Sequence, residues 1–151
     1  MYKQIVVGTD GSEGADHAVD TALELARLTG ATLHVVNAHK LTSAFHLSAA
    51  AEVGVMPDVN AANDAVEAAS KQICAAVAAR AEKAGVKAET HPVPGDPAGA
   101  LIRVADDAGA DLIVVGNRGM AGARRVLGSV PNTVSHHCST SVLIVDTTHP
   151  G

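Results

Sequence analysis

Leu112-Ile113-Val114-Val115-Gly116-Asn117-Arg118-Gly119, closed by Gly128-Ser129, decides the fold of this chain. The run Leu112 to Val115 is apolar throughout, as expected of a strand covered on both faces, because a half-exposed strand would alternate with polar residues. It ends in a glycine, passes through a loop, and reaches Gly128-Ser129 where a helical pattern opens with Val130-Pro131. A glycine admits a ligand close to the backbone because it has no Cβ. A helix N-terminus adds unpaired N–H groups and the positive end of the helix dipole, and both favour an anion. Strand, Gly116-x-x-Gly119 loop and Gly128-Ser129 helix start together predict a phosphate cradle. It is not a P-loop of the Walker kind, which needs a lysine after its last glycine. Lys3, Lys40, Lys71, Lys83 and Lys87 all lie elsewhere.

Outward from that stretch, similar apolar runs recur at Ile5-Val6-Val7-Gly8, Thr32-Leu33-His34-Val35-Val36 and Val142-Leu143-Ile144-Val145. A weaker run, Lys87 to Val93, alternates and contains Pro92, which suits an edge strand. Helical patterns fill the gaps. Ser12 is placed to cap a helix with Glu13 and Asp16 in its first turn, an apolar face of Ala15, Ala18, Val19, Ala22, Leu23 and Ala26, and a stop at Gly30. An alanine-rich helix is expected from about Asn60 to Ala84, ending at Gly85. Asp96-Pro97 is a cap followed by a first-turn proline, opening a helix through Leu101, Ile102, Val104 and Ala105 to Gly109. The last helix runs from Ser129 to about His137. The order βαβαβαβαβ predicts one α/β domain over residues 1–151, with a five-stranded, mostly parallel sheet and helices on both faces. Residues 39–59 show no clean period and read as a mobile loop over the site.

Composition narrows the function. With 151 residues, 47% of them hydrophobic, the chain is long enough and apolar enough to bury one core. No apolar run approaches the roughly 18 residues of a membrane span, and Met1-Tyr2-Lys3-Gln4 enters a strand pattern at once, leaving no room for a signal peptide. Cys74 and Cys138 are isolated, a pattern that fits a reducing cytoplasm better than a disulfide framework. A net charge of −5 argues against a general nucleic-acid binder, and 1% aromatic residues removes the stacking platforms of single-strand binders.

In an open α/β sheet, ligands bind beyond the carboxyl ends of the strands, where the strand order reverses. Those ends deliver Thr9-Asp10-Gly11-Ser12, Val35-Val36-Asn37 and Gly116-Asn117. An aspartate there can accept from ribose hydroxyls, and backbone groups can read an adenine edge. With Val6-Val7-Gly8-Thr9-Asp10-Gly11-Ser12, Leu33-His34-Val35-Val36, Pro94-Gly95-Asp96-Pro97, Gly116-Asn117-Arg118-Gly119 and Gly128-Ser129-Val130-Pro131-Asn132, the sequence resembles the universal stress protein family over essentially its whole length. The resemblance implies an adenine-nucleotide-binding fold with strand order 3-2-1-4-5, a stress-response role and a homodimer. It assigns phosphate and ribose to Gly116, Gly119, Gly128 and Ser129, with Asn117, Arg118, Val130 and Pro131 in the same motif. It sets Asp10 near adenine and ribose, with a magnesium ion reached through the nucleotide. Val35 lies along the adenine edge and Gly95 on the opposite wall. In one respect the chain departs from the ATP-binding pattern Gly-x2-Gly-x9-Gly-(Ser/Thr): eight residues, Met120 to Leu127, separate Gly119 from Gly128. The shorter loop bears on the γ-phosphate end more than the adenosine end, and Arg118, Arg124 or Arg125 could compensate.

The favoured reading is an ATP-binding sensor or adaptor acting through nucleotide occupancy. Cyclic AMP as the ligand, or an interaction dimer without nucleotide, is the alternative. An adenylating or dinucleotide-using enzyme fits less well, because Gly8, Gly11 and Gly14 are spaced Gly-x-x-Gly-x-x-Gly. Without a P-loop lysine or an evident acid/base pair, at most slow ATP hydrolysis is expected. His136-His137-Cys138 is not read as a metal site, since neighbouring helical residues diverge by about 100°. Cys74 is expected to pack as a small apolar residue. The closing strand, an edge in this family, lacks a proline or lysine over Val142 to Val145 and is expected to pair antiparallel with a second copy.

Overall fold

In the computed structural model, residues 1–43, 54, 58–117 and 128–147 are described. Most of the expected loop over 39–59 lies outside them, as do Arg118, Gly119, Arg124 and Arg125. The strands are β1 (Gln4–Gly8), β2 (Thr32–His39), β3 (Ala88–Pro94), β4 (Leu112–Gly116) and β5 (Ser141–Val145). The helices are α1 (Glu13–Thr29), α2 (Val59–Lys83), α3 (Pro97–Ala108) and α4 (Ser129–His137). All four strand pairings are parallel, in the order β3-β2-β1-β4-β5. The chain steps one way from β1 and the other way into β4, so the order reverses between these two strands.

Local chemistry starts and stops the helices where the sequence predicts. Ser12 accepts from the Ala15 amide at 3.2 Å, and Gly30 ends α1 in a left-handed conformation. Asp96 accepts from the Gly99 amide at 2.7 Å with Pro97 in the first turn. Asp58 caps α2 through the Ala61 amide at 3.1 Å, a signal hidden in sequence by the aperiodic stretch before it. β2 runs three residues past Val36, to His39, because Asn37, Ala38 and His39 pair with Pro92, Val93 and Pro94 of β3. Pro92 and Pro94 sit on an edge strand, where a missing donor is tolerated.

Strand parity divides the core into two. Ile5, Val7, Leu33, Val35, Leu112 and Val114 face α1 and α2, where Ala18, Ala22, Cys74 and Val77 receive them. Val6, Val36, Ile113 and Val115 face α3 and α4, against Leu101, Val104 and Val134. Cys74 is fully buried, and burial pushes its thiol up from the ordinary range, consistent with a packing role. Among the described residues, no helix is long and apolar enough to cross a membrane.

Candidate functional site

A cleft of about 670 Å³ opens at the carboxyl ends of β1, β2 and β4, where the strand order reverses. β1 contributes Gly8, followed by Thr9 and Asp10; β2 contributes Val36, Asn37 and Ala38, followed by Lys40; β4 contributes Val115 and Gly116. Three helices begin on its rim: α1 with Ser12 and Ala15, α3 with Pro97 and Leu101, and α4 with Val130 and Pro131. The walls are therefore mainly aliphatic. Among the described residues that line it, the charged groups are the Asp10 carboxylate and the Lys40 ammonium. Converging helix starts supply the positive end of several peptide dipoles, an arrangement suited to an anion.

Hydrogen bonds hold the floor of the cleft in place. The Thr9 amide donates to the Val36 carbonyl at 3.0 Å, and the buried Asn37 carboxamide donates to the Thr9 carbonyl at 2.8 Å. Ser70 of α2 donates to the Asn37 carbonyl at 3.4 Å. In the following turn the Ser12 amide donates to Asp10 Oδ1 at 2.9 Å and the Gly11 amide to Thr9 Oγ1 at 3.1 Å. Gly11 turns at φ +80°, and a Cβ there would come within 3.3 Å of Ile73 Cγ1 in α2, so both backbone and space call for glycine. The polar atoms of this turn are mostly spent on one another, which leaves Asp10 positioned at the mouth.

The structure brings together Thr9, Asp10, Ser12, Val36, Asn37, Gly116, Val130 and Pro131 from the sequence-derived set. Others lie beside the cleft rather than on its walls. Val35 is fully buried on the opposite sheet face, and the Cys74 thiol donates to its carbonyl at 3.7 Å. A backbone contact along an adenine edge would leave that side chain free to pack in this way, while Val36, also in the sequence-derived set, lines the wall. Gly95 follows β3, its amide donating to the His39 carbonyl at 3.0 Å. Asn117 clips two strand ends together: its Nδ2 donates to Asp146 at 3.0 Å, and its Oδ1 accepts from the Thr147 amide at 3.1 Å. Gly128 donates its amide to the Asn117 carbonyl at 2.9 Å, tying the start of α4 to the end of β4. Ser129 is the first residue of α4, next to the wall residue Val130.

Sequence reasoning missed Lys40, Ala38, Pro97, Leu101 and Val115 as cleft residues. Leu101 carries a readable signal, being one turn beyond the Pro97 that opens its helix. A Cβ on Gly8 would come within 3.1 Å of Leu101 Cδ1, so this glycine makes room for the floor residue.

With the architecture in place, comparison with known proteins identifies the class. Residues 1–146 match the Universal stress protein family, and the chain belongs to it. A universal stress protein of Mycobacterium tuberculosis strain H37Rv is 38% identical over 158 residues, covering 97% of this chain and 98% of that one. Another, from Bacillus subtilis, is 30% identical over 148 residues, with 96% and 99% covered. A universal stress protein crystallised in complex with cAMP superposes with a TM-score of 0.73 at 35% identity, over 97% of this chain and 99% of that one. A relative from Archaeoglobus fulgidus in complex with dAMP gives 0.65 at 25% identity, over 95% and 97%.

Proposed function

We propose that this chain binds an adenine nucleotide in the cleft and signals by its occupancy within a stress response. The carrying observation is the cleft itself: aliphatic walls that suit a purine, three helix starts on its rim that suit phosphate, and an aspartate carboxylate in its lining that can accept from ribose hydroxyls. Its volume of about 670 Å³ lies within the usual range for small-molecule sites. Likeness to relatives described in complex with cAMP and dAMP supports the same class of ligand. ATP is the first candidate, held at the phosphates by Lys40 and the start of α4, with magnesium bound through the nucleotide near Asp10. Cyclic AMP is the second, favoured by the short loop before Gly128 and by the cAMP-bound relative.

Thermal melts with ATP, AMP, cyclic AMP and GTP test this. A ligand at 100 times its Kd raises stability by about 2.7 kcal/mol. The expected result is a shift with adenine nucleotides and little with GTP. No shift with any adenine nucleotide overturns the reading. Turnover near 10 per second, an ordinary enzyme rate, would replace a sensor with a catalyst.

The occupied chain would work as a homodimer through β5. The Asn117 amide donates to the Val145 carbonyl at 2.8 Å, so Val145 points its backbone groups toward β4. Alternation then turns the amides of Val142 and Ile144 outward along the open edge. Ile144 is 36% exposed, high for a large apolar strand residue. Ile144→Pro removes an outward donor and spares the β4 ladder. Sedimentation should show a wild-type dimer and a folded, monomeric variant. A wild-type monomer at tens of micromolar would refute the interface.

A further inference from the structure

A cluster of histidine and carboxylate groups lies outside the cleft, on the sheet face beneath α3. The β2–β3 register sets His34 opposite Glu89, and His91 lies two residues further along β3, on the same face as Glu89. His34 Nδ1 is 3.0 Å from His91 Nε2 and 3.8 Å from Glu89 Oε2. All three ligand atoms lie within 4.8 Å of one another. On its other side, His34 Nε2 is 2.8 Å from Gln4 Oε1.

We propose that His34, Glu89 and His91 form a binding site for a divalent transition-metal cation of the zinc type, with Gln4 as its outer partner. The geometry carries it. Ligand atoms about 2.1 Å from a tetrahedral zinc ion stand roughly 3.4 Å apart, and the 3.0 and 3.8 Å separations from His34 Nδ1 bracket that figure. A carboxamide oxygen only accepts, so His34 Nε2 holds the proton and Nδ1 turns a bare lone pair toward His91 and Glu89. An outer hydrogen bond that fixes the ring and its tautomer is the usual second layer of a metal-binding histidine. Two imidazoles and one carboxylate form a donor set suited to zinc, and a solvent molecule would complete four ligands.

The surroundings agree. His34 is buried, at 4% exposure, and His91 is half-buried. Asp107 on α3 adds negative charge near His91. Lys87 meets the other oxygen of Glu89 at 3.4 Å, leaving Oε2 toward the histidines. That pair is exposed and offers weak competition. Without metal, the His91 Nε2 proton would bridge to His34 Nδ1; binding moves it to the far nitrogen of His91.

The test uses the untagged full chain, Zn²⁺ by calorimetry and Co²⁺ by its visible absorption. One Zn²⁺ per chain and a tetrahedral Co²⁺ spectrum are expected. Glu89→Gln and His91→Gln should each weaken Zn²⁺ binding about tenfold or more. The double variant His136→Gln/His137→Gln, on α4, should bind as wild type does. Glu89 is exposed, so Glu89→Gln should melt like wild type without metal and decides the matter should His91→Gln misfold. No Zn²⁺ uptake by the wild type, or uptake unchanged in Glu89→Gln, overturns the proposal. The nucleotide melts are a separate measurement and can fail independently.

Discussion

At the amino ends of β1 and β4, side chains tie the backbone down. Asp111 accepts from the Lys3 amide at 2.8 Å and the Gln4 amide at 3.3 Å, and Thr140 donates to the Ala110 carbonyl at 3.2 Å. At the carboxyl ends, Asn37 and Asn117 perform the same kind of tying, but around an open cleft rimmed by helix starts. The difference comes from chain direction. In a parallel sheet with right-handed crossovers, every helix begins near the carboxyl end of the strand before it, so peptide dipoles point their positive ends to one side only. Ties at the closed end serve stability alone; ties at the open end serve stability and also shape a site.

Substitutions can break or sharpen that contrast. The largest effect belongs to Leu101, which is 2% exposed and is both core and cleft floor. Leu101→Ala should cost about 2–5 kcal/mol in urea unfolding and also reduce the nucleotide-induced shift. Asn37→Ala leaves the Thr9 carbonyl without its partner in a buried setting and should cost about 1–3 kcal/mol, with weaker nucleotide binding as the cleft floor loosens. Asp111→Ala removes a tie at the closed end and should cost about 1 kcal/mol while the nucleotide-induced shift stays as in wild type. A changed shift in Asp111→Ala would dissolve the contrast. The smallest effect is expected of Ser12→Gly, a few tenths of a kcal/mol, because glycine still serves as an N-cap. If Ser12 only caps α1, calorimetry should find nucleotide affinity unchanged; a clear loss would make its hydroxyl a ligand contact.

The histidine cluster teaches a related lesson about one strand. Leu33 to Val36 reads as an apolar run with one interruption, and His34 is that interruption. Two residues on, Val36 forms part of the cleft wall. The strand rises about 3.3 Å per residue, so roughly 7 Å separates the two positions. One sheet face thus carries a nucleotide-sized cleft and, one pleat below, a set of imidazole and carboxylate ligand atoms.

By itself the sequence determined whatever depends on neighbours along the chain. Apolar runs mark the buried strands, Ser12 and Asp96-Pro97 start helices, Gly30 and Gly109 stop them, and the glycine motif marks the family. Tertiary structure alone decided what depends on register and parity. The Val35 side chain packs under α1 and α2 while Val36 lines the cleft, a division set by the pairing of β2 with β1. β2 continues to His39 because β3 is there to receive it. Lys40 and Leu101 line the same cleft although 61 positions separate them in the chain. Glu89 and His91, two apart on an edge strand, reveal a shared face to anyone counting by twos. That His34 stands opposite them is a property of the β2–β3 register, which non-local backbone hydrogen bonds set and no local pattern encodes.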